Sequence, residues 1–353
     1  MSLERLRDWL ERAKADTVVI TKPASVAYLT GVRINPHERL LALSVTPDDA
    51  VLVLPALERE KAEKTAVAGV QLSAYADGED AAALVPIKGR LALERDHITL
   101  GLAERLDAVD AVDAGSEIRR LRMRKTPDEI AKLRRAAAIT DAVAADVLDA
   151  LRPGISELEL AGFVLSRIAD AGAEPAFEPL IQSGPNSALP HGRPGPRRLE
   201  VGDLVLVDIG AAWEGYKGDI TRMAVMGEPT DRQRELHELV LAAHDAALGA
   251  VRPGVAAGEV DAAARAVIEG GGEGPLFIHR TGHGLGLEEH EEPNFTPGEQ
   301  VILEEGMVAT IEPGVYISGW GGIRIEDDVV VEPGGGRWLT RLERELRVVN
   351  ATT

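Results

Sequence analysis

Four acidic residues stand where an apolar run would otherwise continue. Asp208 interrupts the stretch from Val205 to Ile209, and Asp219 directly precedes Ile220. A carboxylate buried in such a strand without a partner is costly. The two aspartates are 11 positions apart. In a hairpin closed by a two-residue loop, that odd separation puts both side chains on one sheet face. A second segment repeats the arrangement. Val207-Asp208-Ile209-Gly210 lines up with Ile311-Glu312-Pro313-Gly314, and Gly218-Asp219-Ile220 with Ile325-Glu326-Asp327. Each could be an edge-strand acid facing water, but four in matching positions argue otherwise. Four carboxylates meeting at one place repel and raise one another's pKa. Two divalent cations would neutralise them, which is the reason to expect a dinuclear metal site. Alternation puts Asp327 on the face opposite Glu326, so Asp327 and Asp328 are expected to play supporting or structural roles.

Histidines supply the remaining candidates. His283 lies between Gly282 and Gly284, in "HRTGHGLGLEEHEEP" with His279 and His290, and His191 lies in "NSALPHGRPG". Small neighbours allow close backbone approach. Neutral imidazole suits Mn, Zn or Co. His37, His97, His237 and His244 read as surface or core-edge residues. The glycines around His283 match neither a P-loop nor the dinucleotide fingerprint, and no Gly-x-Ser-x-Gly elbow is present.

The elements that must position these groups follow from pattern and punctuation. A stretch "ALRPGISELELAGFVLSRIADAG" (150–172) resembles "AVRPGVAAGEVDAAARAVIEGGG" (250–272), offset by 100 residues. Each reads as a helix end, an Arg-Pro-Gly turn, a second helix and a glycine stop. A histidine-containing loop and a hairpin follow each. Two like halves suggest a pseudo-two-fold α+β domain with the site between them. Upstream, Thr126 and Glu129 form a capping box with Pro127 at the first helical position, opening a helix that runs to Leu151. The first 120 or so residues alternate helical and strand patterns (helix 2–15; strands 17–20, 40–45, 50–54 and 90–93) and read as a small α/β domain. The expected division is 1–121 and 122–353.

Composition narrows the chemistry further. The chain has 353 residues, 58 acids against 39 bases and a net charge of −19, which disfavours nucleic acid and anionic membranes as partners. There is no cysteine, so thiolate metal sites, disulfides and a cysteine nucleophile are excluded. The start, MSLERLRDWLERAK, lacks the apolar stretch of a secretory signal, and no apolar run is long enough to span a bilayer. A cytoplasmic protein is expected.

The segments "SGPNSALPHGRPG", "LVDIGAAWEGYKGDITR", "HRTGHGLGLEEHEEP", "GMVATIEPGVY" and "GGIRIEDDVVV" resemble the catalytic domain of the pita-bread metallopeptidases: methionine aminopeptidase, aminopeptidase P and prolidase. The likeness covers residues ~120–353. The leading α/β domain is what prolidases and shorter aminopeptidases P also carry and methionine aminopeptidases generally lack. The resemblance implies that Asp208 binds one metal, that His283 and Glu312 bind the other, and that Asp219 and Glu326 bridge both. It further implies a hydroxide between two ions as nucleophile, Glu312 as proton shuttle, and His191 and His290 as groups that hold substrate and stabilise the tetrahedral intermediate. An oxygen-rich set of this kind fits Mn²⁺, with Co²⁺ or Zn²⁺ as alternatives.

The implied substrate is a peptide with proline after its first residue. An Xaa-Pro dipeptide is the first expectation and a longer peptide, cut by aminopeptidase P activity, the alternative. A dipeptidase must hold the free C-terminal carboxylate, for which arginine is suited. Some prolidases place an arginine directly after His-Glu-Glu-Pro, where this chain has Asn294. Arg324 is a candidate, with an ion pair to a ligand carboxylate as its alternative reading. His279 is a further substrate-binding candidate. Arg33 and Arg39 would act from the partner protomer of a homodimer. Creatinase shares the fold but lacks this ligand set, and a non-catalytic binding module of the fold would typically have lost ligands.

Overall fold

A computed structural model describes residues 2–108 and 110–350. The chain divides into two compact units, Met1–Arg122 and Met123–Thr353.

In the first unit, the helix Ser2–Ala13 buries Leu3, Leu6 and Leu10, whose i, i+3, i+7 spacing aligns them on one face. They pack on a mixed six-stranded sheet. Its order is Gln71–Tyr75, Ala50–Pro55, Ala42–Val45, Thr17–Ile20, Leu91–Leu93 and Val112–Asp113. The central strand Thr17–Ile20 is buried throughout, which explains its unbroken run of β-branched residues after Asp16. Burying each Leu- or Val-sized side chain of this core contributes roughly 1.5–3 kcal/mol.

In the second unit, the helix Pro127–Ala150 starts from the expected capping box. The Thr126 hydroxyl accepts from the Glu129 backbone, and the Glu129 carboxylate accepts from the Thr126 backbone at 2.9 Å. The repeat appears as paired helices of equal length, Glu157–Asp170 and Ala257–Gly270. The long helices Pro127–Ala150 and Asp231–Ala250 precede them. Each helix pair is followed by an antiparallel hairpin.

The first hairpin joins Leu204–Ile209 to Ile220–Met226, with Asp208 opposite Thr221. The pairing continues through Ala212 opposite Lys217 to a two-residue loop, Glu214-Gly215. In this register Asp219 falls opposite Gly210, two residues along from Asp208, so both aspartates share one face. Gly218 cannot be larger: a Cβ there would lie 2.8 Å from the Ala137 backbone nitrogen of the long helix.

The second hairpin pairs Val308–Ile311 with Asp327–Glu332, and Gly314–Ile317 with Gly321–Arg324. Ile311 faces Asp327 and Gly314 faces Arg324, which sets Glu312 and Glu326 across from each other between the two ladders. An antiparallel bridge from Thr221 to Glu326 joins the hairpins. Thus the four acids converge where the two halves of the repeat meet. Among the described residues, no helix is long and apolar enough to cross a membrane.

Candidate active site

Asp208, Asp219 and Glu326 are almost completely buried, and Glu312 lines the same pocket, of about 570 Å³. His191, His279, His283 and His290 also line it. Ligand-capable atoms of Asp219, His283 and Glu326 all lie within 4.8 Å of one another. His283 Nε2 is 3.4 Å from Glu312 Oε1. All five sequence candidates for metal ligation therefore stand around one volume.

The electrostatics of that volume are strained. Burial, then Glu326, Asp208 and further acids, push the Asp219 carboxyl well above its ordinary range. Burial and the facing acids Glu312 and Asp208 do the same to Glu326. Burial raises Glu312 to about 7 against the opposing field of Arg324. Burial also raises Asp208, again opposed by Arg324. Asp219 Oδ1 is buried with no hydrogen-bond partner. Such an orphan is costly unless something positive completes it.

His283 is prepared as a neutral ligand. Its Nδ1 lies 3.1 Å from the Gly284 carbonyl, which can only accept, so Nδ1 carries the proton and Nε2 offers a lone pair. Burial, with the charges of His290 and Arg280, lowers its pKa to about 3. The flanking glycines serve neighbouring strands rather than a ligand. A Cβ on Gly282 would sit 2.0 Å from the Thr310 carbonyl oxygen, and one on Gly284 2.2 Å from that of Glu292. His283 thus enters the site because its strand is squeezed between two others, with a register shift between His283 and Gly284.

A chain of hydrogen bonds that sequence reasoning missed orders one wall. Arg324 contacts Asp208, donates to Thr221 Oγ1 at 3.1 Å and donates to the Tyr316 hydroxyl at 2.9 Å. Thr221 Oγ1 in turn donates to Glu326 at 2.7 Å. His279 Nδ1 faces the Arg280 carbonyl at 2.7 Å, so its Nε2 accepts from the Tyr316 hydroxyl at 2.9 Å. Both Arg324 and His279 line the pocket. Arg324 is 4% exposed and engages three partners, the arrangement of the ion-pair alternative. Both ring nitrogens of His279 are engaged, one of them with Tyr316. Tyr316 ends the quoted segment "GMVATIEPGVY", but nothing in its spacing marked it.

Asp327 and Asp328 are fully buried. Asp328 Oδ2 accepts from the Asp219 backbone at 3.1 Å. Asp327 binds Arg222 Nη2 and Arg344 Nε, each at 2.7 Å, and Thr340 Oγ1 at 2.6 Å. Burial alone would raise its pKa, but Arg222, His244 and Arg344 outweigh that and hold it well below the carboxylate range. Arg222 also donates to the Glu326 carbonyl at 2.7 Å, fixing the backbone of a candidate ligand. His237 and His244 are buried, at 4% and 0% exposure, and do not lie at the surface or core edge as their sequence context suggested. The amphipathic pattern of the helix Asp231–Ala250 places them on its inner face, and His244 stacks on Trp338 at 4.6 Å.

His191 and His290 are exposed on the pocket wall, with the His290 ring edge-on to His283 at 4.4 Å. Arg33 and Arg39 belong to the first unit. Arg33 is exposed, and Arg39 is held by Asp77 at 2.8 Å. Phe177, Leu180, Pro190, Arg193, Arg280 and Glu289 also line the pocket and were not singled out from sequence.

A buried carboxylate cluster with one neutral imidazole, set between two like hairpins, defines a metallohydrolase class of site. The comparisons agree. Metallopeptidase family M24 matches residues 131–333, and the Creatinase/Prolidase N-terminal domain matches residues 3–124. The chain belongs to metallopeptidase family M24. It is 36% identical to an Xaa-Pro dipeptidase of Lactobacillus helveticus, over 99% of both chains. The prolidase of Pyrococcus horikoshii superposes with a TM-score of 0.90 at 35% identity, over 98% of this chain and 99% of that one. An X-Pro aminopeptidase of Thermotoga maritima gives 0.88 at 31% identity, over 98% and 99%.

Proposed function

We propose that this protein hydrolyses the Xaa-Pro bond, with dipeptides as its substrates, using two divalent metal ions. The observation that carries this reading is the convergence of Asp208, Asp219, Glu312, Glu326 and His283 on one pocket of an M24 chain. The residues fit the metal. Asp219 Oδ1 is an orphaned buried acceptor, His283 Nε2 presents a lone pair, and the acids' raised pKa values mark missing positive charge. Asp208 would hold one ion, His283 and Glu312 the other, and Asp219 and Glu326 both. A donor set of oxygen with one imidazole suits Mn²⁺ and also admits Co²⁺ or Zn²⁺. When bound, such ions supply Lewis acidity and lower the pKa of water toward neutrality.

The chain's own groups do the rest. Glu312, which lines the pocket 3.4 Å from His283 Nε2, is the carboxylate placed to hold and release a proton at the reacting centre. His191 and His290, whose rings face the pocket, are placed to donate to the substrate's carbonyl oxygen as it gains charge. Phe177, Leu180 and Pro190 offer apolar surface for the proline ring. An Xaa-Pro amide has no N–H, so a site that acts through the carbonyl loses nothing by its absence.

Aminopeptidase P activity is the second reading, favoured by the likeness to the Thermotoga maritima enzyme. Purified protein with Mn²⁺, offered an Xaa-Pro dipeptide and an Xaa-Pro tripeptide, separates the two. Cleavage of the tripeptide at a comparable rate selects the second reading. No cleavage and no bound metal would leave only a binding module. The proposal includes a 1–121 accessory domain ahead of the catalytic one, a homodimer and a cytoplasmic location. Light scattering and cell fractionation test the last two.

A further inference from the structure

The pocket is lined by three arginines, and they are not equivalent. Arg324 is buried and spent on Asp208, Tyr316 and Thr221. The Arg193 side chain is 80% exposed and pairs with Glu178 at 3.3 Å. Arg280 is half-buried, and its Nη1 donates to Asn294 Oδ1 at 2.6 Å. Its Nε and Nη2 have no hydrogen-bond partner among the described residues. A guanidinium fixed at one nitrogen, with Nε and Nη2 still free, is preorganised for a planar anion.

Asn294 gives this arginine its place. It lies opposite His283 in the pairing of Gly282–Gly284 with Glu291–Phe295, and Arg280 is two residues before that first strand. The hydrogen bond therefore ties Arg280 to the frame that carries His283. A peptide cut after its first residue leaves proline on the far side of the scissile bond. In a dipeptide that proline bears the C-terminal carboxylate, a few ångströms from the reacting carbonyl.

We infer that Arg280, steered by Asn294, receives the C-terminal carboxylate of the substrate and makes the site selective for dipeptides. The inference rests on the Xaa-Pro hydrolysis proposed above. In this chain, the asparagine that stands where some prolidases carry an arginine positions a different arginine from the neighbouring strand edge.

The test compares an Xaa-Pro dipeptide with its C-terminal amide, which lacks the anion but keeps the scissile bond. Wild type, Arg280→Met, Arg280→Lys and Asn294→Ala are assayed with Mn²⁺. Competition by free proline and by prolinamide gives a binding readout independent of turnover. Arg280→Met is expected to raise KM for the free dipeptide at least tenfold and leave KM for the amide unchanged. It also removes the preference for proline over prolinamide as competitor. Arg280→Lys restores part of the difference, and Asn294→Ala weakens it without abolishing it. Equal losses on acid and amide would mean that Arg280 only supports the fold, and would overturn the inference. So would an acid-selective loss in Arg33→Ala or Arg39→Ala with Arg280→Met unaffected. Wild-type protein that cleaves neither compound overturns the proposed hydrolysis and this inference together.

Discussion

Replacing Asp219 by asparagine should stabilise the metal-free protein and destabilise the metal-bound one. Asp219 is 4% exposed, its Oδ1 has no partner, and atoms of Glu326 and His283 lie within 4.8 Å. At that 4.8 Å limit, with an effective dielectric constant of about 20, one pair of like unit charges repels by about 3 kcal/mol. Uptake of a proton caps this cost, since burial and the facing acids raise the Asp219 pKa well above its ordinary value. The sign follows from linkage. A carboxyl with a raised folded pKa costs little at low pH, and the cost grows as pH rises from the unfolded value near 4. Asp219→Asn keeps the shape and removes the charge. In chelator it should therefore raise Tm by about 5 °C at pH 8, for a unit of this size, and by much less at pH 5. With Mn²⁺ the order reverses, because wild type gains about 2.7 kcal/mol per ion at 100 times its Kd and the variant loses a ligand. Differential scanning fluorimetry across two pH values, with and without metal, gives all four numbers. A variant that melts lower than wild type in chelator at pH 8 would refute the account of Asp219 as one of a repelling set.

Asp327 should behave in the opposite way. Asp327→Asn leaves Arg222 and Arg344 without their counter-charge and should cost about 3–5 kcal/mol with or without metal, read as a fall in denaturant midpoint. His237, whose pKa burial lowers to about 4, is held neutral in the fold. The unfolded chain binds its proton from about pH 6.5 downward, so stability is lost as pH falls from 6.5 toward 4, by up to about 3 kcal/mol. His237→Gln should flatten that part of the stability profile, and an unchanged slope would contradict it. Gly282→Ala sets a Cβ 2.0 Å from the Thr310 carbonyl oxygen, where backbone must move. Isothermal titration should show impaired Mn²⁺ binding, and melting a loss of about 3 kcal/mol.

Much of this protein is set by local residue chemistry. Thr126, Pro127 and Glu129 determine where the long helix begins, because a capping box needs only a few neighbouring residues. The four site acids stood out because each lies within or directly beside an apolar, strand-forming run, and the two-residue loop at Glu214-Gly215 gave Asp208 and Asp219 a common face. The helix Pro23–Thr30 and the strand Gln71–Tyr75 escaped the reading of periodicity. The helix has almost no amphipathic contrast, and the strand's residues are exposed or only partly buried until Tyr75. Tertiary packing, and nothing shorter in range, decides how charge is shared around the site. Arg324 meets Asp208 across 116 positions and Thr221 across 103, and Arg222 meets Asp327 across 105. Such pairs leave no mark in spacing, because each forms only when the two hairpins close on each other. The same closure separates Arg324, spent inside the wall, from Arg280, which keeps free donors at the pocket. Sequence singled out Arg324 and passed over Arg280, and only the fold shows which of the two has its donors spent.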